Sequence, residues 1–315
     1  MVKNNSCSPT STFFKTQTKH SIMGIDGTLL EYGFKQHAFE FGNLKSDKVV
    51  IFIGGLGDRF ATVPYLVPLS NALNKIGWSL IQIEFTSSSI GWGTGSLARD
   101  HSEITKLVKF LKSEDGGSRK KVGLMGHSTG CQNTMYYLSK AERDENYVDV
   151  DFGILQASVS DREAAGELME RETIDKGNAL AKKYIDEGKS DELMPYNYTL
   201  NFFGAPVNAY RWYSLFSKRG DDDFFSSDLE DDDFKLTFGK VDKPLLVLYG
   251  GCDEFAPDYV DKALLLNRFK SATKPGIWSP HSKIIEGGKH NLGEGSKETA
   301  VDDCLVSVCK LLENL

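Results

Sequence analysis

Apolar and polar positions along this chain follow two periods, and the switches between them mark out its elements. Val49-Val50-Ile51-Phe52-Ile53 is an uninterrupted apolar run. Such a run predicts a strand buried on both faces, as in a parallel sheet covered by helices. Ser79–Phe85, Lys121–Met125, Asp151–Ala157, Pro244–Tyr249 and Lys283–Ile285 read as further strands, with shorter β-prone pieces at Leu29–Tyr32 and Ala38–Phe41. Helical spacing is clearest over Ser96–Lys112, where Ile104, Leu107, Val108 and Leu111 share one face. Helices are also predicted at Tyr65–Ile76, Cys131–Lys140, near Asp258–Phe269 and at Ala300–Leu312. Strands alternating with helices predict an α/β domain built on a doubly wound, mostly parallel sheet.

The alternation stops after Ser158 and resumes at Pro244. Residues 161–240 carry charged helical segments, the aromatic side chains Tyr196, Tyr198, Phe202, Phe203, Tyr210, Trp212, Tyr213 and Phe216, and the acidic stretch Asp221–Asp233. Because the sheet is completed beyond them, they read as an inserted, largely helical cap on a single domain spanning 21–315. The acidic stretch lacks the alternating carboxylates, central glycine and final glutamate of a calcium loop, so a solvated loop is expected. Residues 1–20 are polar and read as a disordered tail.

Composition narrows the partners. A formal net charge of −7 with scattered basic residues excludes the clustered positive surface that nucleic acid needs. The first twenty residues lack the apolar core of a secretory signal, and no apolar run approaches membrane-spanning length. A cytoplasmic protein without a membrane partner is therefore expected. Five cysteines, Cys7, Cys131, Cys252, Cys304 and Cys309, show no paired spacing and read as reduced thiols. No metal-ligand spacing or dinucleotide fingerprint is present, so neither a metal nor a cofactor is expected.

The chemistry lies in Gly126-His127-Ser128-Thr129-Gly130, which fits G-x-S-x-G between a strand and a helix. A nucleophilic serine has to leave the strand on a sharp turn with its hydroxyl exposed, and the flanking glycines permit the close packing this requires. The motif in this setting predicts the α/β-hydrolase fold. A serine hydroxyl needs a base. Among six histidines, His290 follows the last predicted strand, where it can swing over the sheet's carboxyl edge. The acid is expected at a strand's carboxyl end. Asp253, after Leu245–Tyr249, is favoured, with its neighbour Glu254 and the earlier Asp161 as alternatives; Asp161 also reads as the N-cap of the first cap helix. Backbone N–H groups of Thr129 and of Leu56, in Gly54-Gly55-Leu56-Gly57, are the expected oxyanion donors. Trp92, Tyr210, Arg211 and Trp212 are candidate substrate contacts.

Several further segments carry a resemblance: Ser87–Leu97, the elbow Gly126–Gly130, Gln156–Glu163 and Asp221–Leu229. Together they make the chain, from about Gly33 onward, resemble the fungal siderophore (fusarinine C-type) esterase-like family of α/β hydrolases. The resemblance implies nucleophile, acid and base roles for Ser128, Asp253 and His290. It also implies a small-molecule ester substrate, a hydroxamate siderophore whose hydrolysis releases iron inside the cell. The same residues would serve a thioesterase, amidase or acyltransferase, and a scaffold of this kind can also serve as a non-catalytic binding protein.

Overall fold

The computed structural model describes residues 24–139, 147–200, 202 and 205–315. The tail expected at 1–20, Cys7, Lys140 and Phe203 lie outside the described residues.

A hairpin of β1 (Gly27–Gly33) and β2 (Gln36–Gly42) opens the domain. β3 (Lys48–Ile53) then leads through α1 (Leu66–Lys75) to β4 (Ser79–Glu84). A 3-10 turn at Ser89–Thr94 and α2 (Leu97–Lys112) precede β5 (Lys121–His127), α3 (Gly130–Ser139) and β6 (Gly153–Gln156). Five helices follow before the sheet resumes: α4 (Asp161–Leu168), α5 (Arg171–Asp186), α6 (Tyr196–Thr199), α7 (Ala209–Phe216) and α8 (Asp231–Thr237). The chain ends with β7 (Leu245–Gly250), α9 (Lys262–Ala272), β8 (Lys283–Ile285) and α10 (Ala300–Leu312). The eight strands lie in the order β1-β2-β4-β3-β5-β6-β7-β8. Within this sheet, among the described residues, the pairings of β2 with β1 and β4 are antiparallel and the others parallel. This is the α/β-hydrolase arrangement.

The apolar runs work as read. Along β3, Val49, Ile51 and Ile53 face the core layer shared with α2, α3 and α9, while Val50 and Phe52 face the layer under α1 and α10. β7 divides in the same way, with Leu245 and Val247 on one side and Leu246 and Leu248 on the other. With both faces covered, truncating any of these side chains to alanine costs about 2–5 kcal/mol. Boundaries shift by a few residues: β6 is confined to Gly153–Gln156, and α9 starts at Lys262, where the Asp261 side chain accepts from Leu264 N–H at 2.9 Å and caps it.

A third apolar cluster fills the segment between β6 and β7. Trp212 is fully buried there, edge-on to Phe216 at 4.8 Å and to Phe202 at 6.1 Å. The acidic stretch is only in part the solvated loop its composition predicts: Asp221, Asp228, Glu230, Asp231 and Asp232 are exposed, but two carboxylates are not. The Asp222 and Asp223 carboxylates are fully buried, Asp222 on Arg211 Nη1 at 2.6 Å and Asp223 on Arg162 Nε at 3.3 Å. A buried guanidinium requires a carboxylate partner, and this stretch supplies three: Asp222 to Arg211, and Asp223 and Asp228 to Arg162. Its far end caps α8 reciprocally through Glu230 and Asp233.

Among the described residues, no helix is long and apolar enough to cross a membrane. Cys131, Cys304 and Cys309 are free thiols, as expected of them. Cys252 is disulfide-bonded, which corrects the expectation there; nothing in the cysteine spacing announces it.

Candidate active site

Ser128 sits at the turn between β5 and α3 with φ at +54°, in the left-handed region that side chains other than glycine rarely enter. Its neighbours explain how it is held there. A Cβ on Gly126 would lie 2.2 Å from the Gly130 carbonyl oxygen, and one on Gly130 would lie 2.2 Å from that of Ile53. The two elbow glycines are thus required by backbone packed against backbone. Ser128 N–H donates to the Gln156 carbonyl at 3.1 Å, which ties the turn to β6.

Three side chains meet at this turn. Ser128 Oγ is 2.8 Å from His290 Nε2, and His290 Nδ1 is 3.0 Å from each oxygen of Asp253. Asp253 follows β7 and is itself held by Phe255 N–H at 3.0 Å. Burial opposes charge on the His290 ring, but the Asp253 charge and hydrogen bond, with Glu254 and Asp161 adding, leave its pKa above the ordinary value. Glu254 accepts the main-chain N–H of His290 at 3.0 Å, so it holds the residue rather than the ring.

Asp161 is not brought to the imidazole. Its Oδ2 accepts from Gln132 Nε2 at 2.5 Å, and burial pushes its carboxyl up to about 8. Nor is it the N-cap: Ser160 Oγ takes that place, accepting from Glu163 N–H at 3.1 Å.

Gly55, Leu56, Thr129, Trp92 and Arg211 line one cleft beside the serine. Gly55 lies so close that a Cβ on it would be 2.7 Å from Ser128 Cβ. Its N–H is taken by Asp58 Oδ2 at 2.7 Å, a turn contact that sequence reasoning missed. Among the described residues, the N–H groups of Leu56 and Thr129 have no hydrogen-bond acceptor. Two of the four candidate substrate contacts are placed elsewhere. Trp212 is buried and donates to Asn178 at 3.1 Å, and the Tyr210 hydroxyl donates to Asp221 at 2.5 Å. Arg211 reaches the cleft with its charge already matched by Asp222.

Comparison with known proteins agrees with the architecture. The family model described as "Protein of unknown function (DUF1749)" matches residues 16–313. UPF0613 protein PB24D3.06c of Schizosaccharomyces pombe is 43% identical over 266 residues, covering 80% of this chain and 83% of its own. Fusarinine C esterase sidJ of Aspergillus fumigatus is 34% identical over 319 residues, covering 85% of this chain and 90% of its own. The solved structure of siderophore hydrolase EstB from Aspergillus fumigatus matches with a TM-score of 0.80 at 33% identity, over 92% of this chain and 98% of that one.

Proposed function

The chain belongs to the DUF1749 family, and from that premise we propose that it is a serine esterase acting on a small-molecule ester, specifically the ester bonds of a hydroxamate siderophore. The observation that carries the reading is the 2.8 Å contact between Ser128 Oγ and His290 Nε2, with Asp253 on the other ring nitrogen.

In this mechanism His290 Nε2 takes the Ser128 proton as Oγ attacks the ester carbonyl. Asp253 holds the proton on Nδ1 and stabilises the imidazolium that forms. The oxyanion is received by the N–H groups of Leu56 and Thr129, which border the cleft without an acceptor of their own. Collapse expels the alcohol, protonated by His290, and water then resolves the acyl-serine by the same steps in reverse. The siderophore assignment draws on the two relatives named for that chemistry, which match most of this chain at 33% and 34% identity.

The test compares wild type with Ser128→Ala on short p-nitrophenyl esters and on iron-loaded and iron-free fusarinine-type siderophores. Siderophore cleavage lost in the variant is the expected result. Serine-dependent turnover of simple esters alone would remove the siderophore and keep the esterase. Turnover that survives Ser128→Ala would remove the serine mechanism.

A further inference from the structure

Gln156 ends β6 beside His127, the last residue of β5, and the two are register partners. Its main-chain carbonyl accepts from Ser128 N–H at 3.1 Å. Its side-chain Oε1 accepts twice, from the Tyr65 hydroxyl at 2.8 Å and from His127 Nδ1 at 2.6 Å. Its Nε2 donates to the main-chain carbonyl of His290 at 3.1 Å. We propose that Gln156 is a positioning residue that sets Ser128 and His290 relative to each other, with its amide oriented by Tyr65 and His127. The proposal rests on the serine–histidine reading above.

The amide has one accepting end and one donating end. The His290 carbonyl only accepts, so it selects the orientation with Nε2 toward it. Oε1 then faces Tyr65 and His127, and both must donate. His127 meets that demand as a neutral ring with its proton on Nδ1. Burial and the neighbouring His290 push its pKa down to about 4. Neutrality matters in a second way, because the His127 and His290 ring centroids are 5.1 Å apart. A charged His127 would oppose the imidazolium that His290 becomes during catalysis.

His290 needs such support because it lies in the irregular segment between β8 and α10, where no strand or helix fixes it. Asp253 holds its ring and Glu254 its N–H. Gln156 holds its carbonyl, and this third anchor leads through one residue to the backbone of the nucleophile. Tyr65 and His127 both hydrogen-bond the Gln156 amide oxygen, so the amide joins them to the His290 main chain.

Gln156→Met keeps the length and the main-chain bond to Ser128 while removing all three side-chain bonds. The expected result on a p-nitrophenyl ester is a kcat lower by about 10–100-fold with KM within about twofold, since misplacing a catalytic group by about 1 Å costs that much. Labelling of Ser128 by a fluorophosphonate is expected to slow by the same factor. His127→Asn, which keeps an N–H toward Oε1, should retain kcat within a few-fold, whereas His127→Leu should fall like Gln156→Met. The His127 pair carries the test if Gln156→Met does not fold. A folded Gln156→Met with wild-type kcat overturns the proposal, as does equal behaviour of His127→Asn and His127→Leu. With Ser128→Ala inactive, either result removes this inference alone; an active Ser128→Ala removes the serine reading and this inference with it.

Discussion

His290 Nε2 stands 2.8 Å from Ser128 Oγ across a sequence separation of 162 residues. Asp253 and Glu254, adjacent in the chain, hold opposite parts of that histidine, one the ring and the other the main chain. The two carboxylates should therefore separate in mutation. Asp253→Asn is expected to lower kcat by about 10⁴-fold, because the amide no longer fixes the productive tautomer. Glu254→Gln keeps an oxygen for the His290 N–H and should cost at most about tenfold. Steady-state kinetics on one ester decide it, and equal losses would return Glu254 to the list of candidate acids.

The pH profile follows from the same pair. In the proposed mechanism His290 has to be neutral to accept the serine proton, and its pKa lies above the ordinary 6.5. Activity should then fall on the acid side with a midpoint above 6.5. Glu254→Gln removes one of the negative charges that raise it, so the midpoint should move down. A kcat/KM profile of both proteins checks the direction, and an upward or absent shift would contradict it.

Gly55→Ala places a methyl group 2.7 Å from Ser128 Cβ and 3.1 Å from its Oγ. The expected outcome is a folded protein whose kcat is about 10²-fold lower, because the hydroxyl has to move. Circular dichroism with ester kinetics tests this, and full activity would show that the loop yields instead.

Arg211→Met should destabilise the protein by about 3–5 kcal/mol by leaving Asp222 buried without its cation. Adding Asp222→Leu to that variant should recover most of the loss. Urea unfolding of the single and double variants is the measurement, and additive losses would mean the pair does not act as a unit.

Asp161 gives a pH signature of the opposite sign to a salt-bridged carboxylate. Its folded pKa is raised from 3.8 to about 8, so across that window the unfolded chain has released a proton that the folded protein keeps. Stability from this group is present below pH 4 and is lost as pH rises through 8. Asp161→Asn should melt several degrees above wild type at pH 8 and lose that advantage at acid pH. Parallel melting curves across the range would contradict the assignment.

What could be read from the chain depended on whether the cause was local. Strands covered on both faces must be apolar throughout, so β3 and β7 were visible as runs. The elbow was visible because the turn demands glycines at fixed offsets. His290 was reached by its place after the last strand. Asp222 and Asp223 were misread because a carboxylate run looks the same whether water or a distant arginine neutralises it. Arg162 and Arg211, their partners, belong to other helices. Trp212, a candidate contact in the sequence, is buried in the third apolar cluster, and an aromatic side chain carries no mark of which core it fills. Gln156 was passed over as one polar residue at the end of an apolar strand, and its partners Tyr65 and His290 come from opposite ends of the domain.

The 3-10 turn after β4 carries the consequence that reaches furthest. Trp92 and Gly93 there offer their carbonyls to Arg211 Nε at 3.1 Å and Asn208 N–H at 2.8 Å. Gly93 lies so close that a Cβ would be 2.1 Å from the Pro206 carbonyl oxygen. The wall of the cleft and the helical segment between β6 and β7 are thus stitched along one seam. A substitution at Pro206 or Asn208 would therefore shift the wall itself and be felt near the serine, although neither residue lines the cleft.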